Sequence, residues 1–157
     1  MALRAAAVAP AAPRLAYRRL LVPLVEGTVS EQAVAIACQL ADRGTSVTAV
    51  SVIEVPVELP LEAHMIDDEE HARRALSDAA AIGDLYGVAI SSHVLRARVA
   101  GEAIVNEVRE ADSELVVIRA VRKRRFGRSA PIFGHTVDFV LKHAPCRVLL
   151  VASPGEA

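Results

Sequence analysis

Six cations stand in one ten-residue stretch of this chain: Arg119, Arg122, Lys123, Arg124, Arg125 and Arg128, with no acid among them. A guanidinium is a planar fork of donors that matches two phosphate oxygens at once, so the block reads as an anion site. Without an anion or an acidic surface to neutralise it, the same block is a self-repelling, solvated loop. Its counterpart lies at residues 54–70, where Glu54, Glu58, Glu62, Asp67, Asp68, Glu69 and Glu70 occur with no Lys or Arg. Other reactive side chains are sparse. Ser129 has no paired base in sight and reads as a loop hydroxyl. His64 and His71 flank the acidic run, too widely spaced across a loop-to-helix junction for a usual metal-ligand set. Cys38 and Cys146 fall on apolar patterns and read as inert core thiols. His143 sits near the end of a helix, where a cation favours the negative pole. G-x-G-x-x-G, G-x-x-x-x-G-K-[ST] and G-x-S-x-G are all absent. With no acid–base pair and no metal set, the expectation is a protein that is not an enzyme.

The 157 residues carry a net charge of −1, with 53% hydrophobic and 24% charged residues. That is a single-domain length and a globular composition. Aromatics are 3% and Trp is absent, which argues against a base-stacking platform. With a near-zero charge and its basic block in a loop, the chain is not expected to read nucleic-acid sequence. Two Cys rule out a disulfide scaffold. No apolar run reaches the roughly 20 residues that span a bilayer. Residues 1–17 read as a flexible basic arm, whose Pro10 interrupts any signal-like apolar run. Residues 18–153 form the domain and 154–157 a tail.

The chemistry needs elements to position it. Arg18–Leu24 is a short apolar run that suits a buried strand, with Pro23 tolerable only near its end. Thr28 or Ser30 caps a helix from Glu31, which Gly44 stops. Strands follow at Val47–Val55, Val88–Leu95, Leu115–Ile118 and Cys146–Ala152. Between them lie a long helix from Asp67 to Gly87 and shorter ones at Gly101–Glu110 and His135–His143. The alternating order β-α-β-α-β-α-β-α-β predicts an α/β fold, a three-layer, doubly wound five-stranded parallel sheet with helices on both faces. Ligands of such sheets sit outside the carboxyl ends of the strands, where strand order reverses. The basic loop after the fourth strand falls there, beside Pro23–Gly27 after the first.

The stretch Gly134–Val151, GHTVDFVLKHAPCRVLLV, resembles the carboxyl end of the universal stress protein family, which commonly reads G-S-V-x-x-x-V-L-x-x-A-P-C-P-V-L-V-V. Arg19–Ala33, RLLVPLVEGTVSEQA, is similar to the family's first strand, turn and helix start. The resemblance covers about residues 18–152. It implies strand order 3-2-1-4-5 and a cytoplasmic homodimer paired through the last strand, here Arg147, Val148, Leu149, Leu150 and Val151. An apolar edge strand of that length needs a partner on physical grounds too.

Many members bind ATP through G-x-x-G-x9-G-[ST] after the fourth strand. Here Gly134 holds the last glycine position. Arg124 stands at the second and Val121, or Arg119 in another register, at the first. His135 replaces Ser/Thr, with Thr136 next. The Asp that usually ends the first strand's motif is Val25, with Glu26 beside it. The candidate ligand site is accordingly Pro23, Val25, Glu26, Val52, Ile118, Arg119, Arg122, Arg124, Gly134, His135 and Thr136. The resemblance implies a non-catalytic, ligand-sensing regulatory protein. Its candidate ligand is an adenine nucleotide or another phosphate anion, and no metal is implied. The I-F-G-x-T-V ending through A-P-C-R-V, after an Arg run, also resembles the cytoplasmic stress domains appended to permeases and antiporters. That implies an alternative, a regulatory module for a membrane transporter with a vestigial site.

Overall fold

The computed structural model describes residues 16–25, 31–121 and 133–153. The arm up to residue 15, the turn with Glu26, the basic loop with Arg122 and Arg124, and the tail lie outside the described residues.

Five strands and four helices alternate: β1 (Tyr17–Leu24), α1 (Glu31–Leu40), β2 (Ala41–Glu54), α2 (Ile66–Leu85), β3 (Ile90–Ala97), α3 (Ala100–Glu110), β4 (Leu115–Val121), α4 (His135–His143) and β5 (Arg147–Ser153). The strands pair in parallel in the order β3-β2-β1-β4-β5, as the alternation and the family resemblance predict. Strand alternation divides the core. Leu20, Val22 and Leu24 of β1 and Leu115 and Val117 of β4 face Ala33, Val34 and Ala37 of α1 and Ala75 and Ala79 of α2. Leu21, Val50, Val116 and Ile118 face Ile104 and Val108 of α3 and Val137 and Val140 of α4. Each fully buried Val, Leu or Ile is worth about 1.5–3 kcal/mol, so two such layers hold the fold without a staple. Both thiols are free; Cys38 packs on the first face and Cys146 against the second. Burial pushes both thiol pKa values up, so they stay protonated.

Two boundaries differ from the sequence reading. The first helix ends at Leu40, not at Gly44. The partners step from Tyr17↔Ala41 to Arg19↔Ser46, so β2 carries extra residues opposite Arg18. Gly44, at φ +83°, turns inside that bulge. Thr45 holds it closed: its Oγ1 accepts the Asp42 N–H at 3.0 Å and donates to the Tyr17 carbonyl at 2.8 Å. Likewise β3 starts at Ile90 rather than Val88. The Val88 N–H donates to the Gly83 carbonyl at 2.9 Å and the Gly87 N–H to that of Asp84 at 3.1 Å, with Gly87 at φ +68°. Val88 therefore completes a Schellman cap on α2 instead of joining the sheet.

Candidate functional site

Registered pairing across the β1–β4 seam stops at Leu21↔Val116, while β1 runs on to Leu24 and β4 to Val121. Pro23, which has no N–H to give, follows directly. The two strands belong to opposite windings of the sheet, so their carboxyl ends mark the switch point.

A cavity of about 440 Å³ opens at this rim. Leu24 and Val25 of β1 and Ser51, Val52, Ile53 and Glu54 of β2 supply its floor. Asp68, His71 and Ala72 from the first turns of α2, Ala100 and Ile104 of α3, and Thr136 of α4 supply its walls. The two sides differ. Ile53 packs with Ala72 of α2, so the side nearest α2 presents Ser51, Asp68 and His71. Val25, Val52 and Ile104 pack together on the other face of the sheet, making that side apolar. Among the described lining residues there is no Lys or Arg.

The rim is braced by hydrogen bonds. Glu54 Oε1 accepts the Ala100 N–H at 3.3 Å, capping α3. Arg98 donates to the carbonyls of Val55, at 3.0 Å, and Pro56. Arg96 donates to the carbonyls of Leu61, at 2.8 Å, and Ala63, and to Glu69 Oε1 at 2.9 Å. These arginines pin the segment between β2 and α2. The Arg96 hydrogen bond, joined by the Met65 N–H, holds the Glu69 carboxyl below its ordinary pKa.

The structure brings three of the sequence-predicted site residues together in the cavity: Val25, Val52 and Thr136. Gly134 is the N-cap of α4, immediately before His135 and Thr136. His135 lines an adjoining cleft of about 340 Å³, which shares Glu54 and Thr136 with the cavity. Pro23 and Ile118 are buried in their strands and do not line it. Arg119 lies half-buried in β4, opposite Val151 of β5. Glu26, Arg122 and Arg124 lie outside the described residues. Sequence reasoning missed Ser51, Asp68 and His71. One signal was present: in a doubly wound sheet each helix after a strand starts at the carboxyl rim, so the first turn of α2 had to be there. His143 hydrogen-bonds through Nδ1 to the Phe139 carbonyl at 2.9 Å and stacks on the Phe139 ring at 4.1 Å. Among the described residues no group of three or more His, Cys, Asp or Glu is placed to hold a metal ion, and no helix is long and apolar enough to cross a membrane.

Comparison with known proteins agrees with this architecture. A universal stress protein from Archaeoglobus fulgidus superposes with a TM-score of 0.70 at 23% identity, covering 85% of this chain and 98% of that one. The structure of the Archaeoglobus fulgidus protein in complex with dAMP gives 0.65 at 22% identity, covering 87% and 98%. A family protein from Arabidopsis thaliana with AMP bound gives 0.60 at 14% identity, covering 87% and 92%. No curated protein matches the sequence. At these identities the structures speak for the fold. The family follows from the sequence itself, because the model of the universal stress protein family matches residues 16–152. The alternating elements, the 3-2-1-4-5 sheet and that match converge: this chain belongs to the universal stress protein family.

Proposed function

We propose that the cavity at the carboxyl rim binds an adenine nucleotide or a related phosphate-bearing ligand, and that the protein senses this ligand rather than turning it over. The observation that carries the reading is the cavity: about 440 Å³ at the switch point, apolar on one side and polar on the other. Pockets of this order suit small organic ligands. Relatives of the same fold hold dAMP or AMP. The start of α4, with Gly134 as N-cap and Thr136 on the cavity wall, offers backbone N–H groups and a positive helix end to a phosphate. Arg122, Arg124 and Arg125, which follow β4 in sequence, are candidates to complete the anion site.

Ser51, Asp68 and His71 share a lining, yet among the described residues no hydrogen bond joins His71 to either. The three are not arrayed as nucleophile, base and orienting acid, which supports a binding role. The test is thermal unfolding with AMP, cyclic AMP, ATP and inorganic phosphate. A ligand present at 100 times its Kd stabilises by about 2.7 kcal/mol. That raises the midpoint of a domain this size by roughly 5–10 °C. Replacing Arg122, Arg124 and Arg125 with Ala removes the part of the rise that depends on phosphate. No rise with any of the four ligands rejects the reading. It would leave the competing role as an interaction module for a membrane transporter.

The proposal extends to a homodimer through β5. That strand ends the sheet, and Leu149 keeps 37% of its surface exposed. Light scattering would give twice the 16.7 kDa chain mass, and Leu149→Arg would return the monomer.

A further inference from the structure

Ser51 is the one buried polar side chain, besides Ser113, among the described residues, with 2% of its surface exposed. It sits on β2 opposite Leu24 and lines the cavity. Its hydroxyl has no hydrogen-bond partner among the described residues. Yet no buried side-chain oxygen or nitrogen among them is sealed off without a partner. The Ser51 oxygen therefore keeps its opening, and the space it opens on is the cavity. A hydroxyl held in an apolar layer, free to donate and to accept, is a group that a buried ligand can satisfy.

The charges fix which end of a ligand meets it. Two carboxylates, Glu54 and Asp68, line the cavity, and no described Lys or Arg does. A phosphate at that depth would meet negative charge with nothing to offset it. Its favourable place is the start of α4 on the opposite side. The uncharged end then enters first. Facing Val52 and Ile104 is an apolar slot for a flat ring, and Ser51 Oγ stands where that ring's polar edge ends.

Resting on the nucleotide reading above, we infer that Ser51 is a specificity-determining residue. It hydrogen-bonds the polar edge of a nucleobase inserted base-first, while the phosphate stays at the α4 end of the cavity. The hydroxyl selects for a heterocycle and is indifferent to the sugar phosphate.

The experiment compares AMP with ribose 5-phosphate, which lacks the base, by titration calorimetry on the full chain and on Ser51→Ala. The variant removes one oxygen, and its ligand-free midpoint serves as the folding control. Loss of one buried hydrogen bond weakens AMP roughly tenfold. Ribose 5-phosphate affinity stays within twofold, a split that a merely structural role would not produce. An unchanged AMP affinity in Ser51→Ala, with AMP binding the natural chain, overturns this inference and leaves the nucleotide reading intact. Equal weakening of both ligands overturns it as well, since the hydroxyl would not be reading the base. If AMP fails to bind the natural chain, both readings fall together. Ser51→Thr, which keeps the hydroxyl, retains AMP affinity within threefold.

Discussion

β1 and β4 meet at both rims of the sheet and behave in opposite ways there. At the amino rim they are clasped. The Glu114 N–H donates to the Arg19 carbonyl at 2.9 Å, and the Arg18 N–H donates to Glu114 Oε2 at 2.5 Å. The Arg19 guanidinium donates to the Asp112 carbonyl at 2.6 Å, to Asp112 Oδ2 at 3.0 Å and to Glu114 Oε1 at 3.3 Å. Arg19, Asp112 and Glu114 thus satisfy one another. At the carboxyl rim the seam parts after Leu21↔Val116, and Ser51, Asp68 and His71 surround open space instead of each other. One pair of strands therefore carries a structural end and a receptive end. The difference is where polar groups can reach partners within the chain, and only the end that leaves them unmet has hydrogen bonds to offer a ligand.

The largest test of this contrast fills the receptive end. Val52→Trp places an indole in the apolar half of the cavity. Calorimetry should then show AMP binding weakened at least a hundredfold. Arg19→Ala is its mirror image. It removes exposed ion pairs, so the midpoint falls by only about 2–4 °C, and AMP affinity stays unchanged. AMP binding that survives Val52→Trp, or is lost in Arg19→Ala, would reverse the assignment of the two rims.

A second test strikes the support of the receptive rim. An ideal Cβ on Gly101, in the first turn of α3, would lie 2.8 Å from Phe139 Cβ on α4, with ring carbons at 2.9 Å. Side-chain rotation cannot move a Cβ aside, so α3 and α4 must separate. Gly101→Ala should cost about 1–3 kcal/mol by overpacking. For this length that lowers the midpoint by roughly 5 °C. Ala100 and Thr136, on the same two helices, face the cavity, so AMP affinity falls with stability. A stability loss with full affinity would mean that the rim does not depend on this helix pair.

Much of this was legible from sequence, for identifiable reasons. Alternating elements dictate parallel strands, and the period-2 split of Leu20, Val22 and Leu24 from Leu21 is what a strand buried on both faces produces. Val25, Val52 and Thr136 were locatable because rim position follows from strand order. Ser51 was not: a single hydroxyl within AVSVIE reads as a strand residue, and its unmet oxygen appears only once the packing on both faces is known. His71 was considered beside His64, its sequence neighbour across the acidic run, whereas in the fold its cavity companions are Asp68 and Ser51. The end of α1 was misplaced because Gly44 signals a positive φ without saying whether a helix cap or a bulge uses it. Chemistry that depends on long-range neighbours is invisible to local pattern.

The smallest expected effect, and the finest discriminator between the rims, is their response to acid. Glu114 is held below its ordinary pKa of 4.5, first by the Arg18 N–H and then by the charge of Arg19. Glu69 is lowered first by the hydrogen bond from Arg96 and then by the Met65 N–H. In both cases the folded state prefers the ionised carboxylate. The resulting stability is fully present above the unfolded value and is lost as pH falls through the depressed folded value. Unfolding midpoints should therefore drop as pH is taken from 5 towards about 3, and Glu114→Gln and Glu69→Gln should each flatten that slope. Both groups face solvent, so the changes are small and shrink with added salt. Ligand affinity separates them. Glu69 fixes Arg96, which also holds the Leu61 and Ala63 carbonyls just ahead of the helix that bears Asp68 and His71. Protonating Glu69 loosens that approach, so part of the acid loss of AMP affinity should vanish in Glu69→Gln and persist in Glu114→Gln. Identical affinity profiles in the two variants would mean that the segment pinned by Arg96 does not set the geometry of the cavity wall.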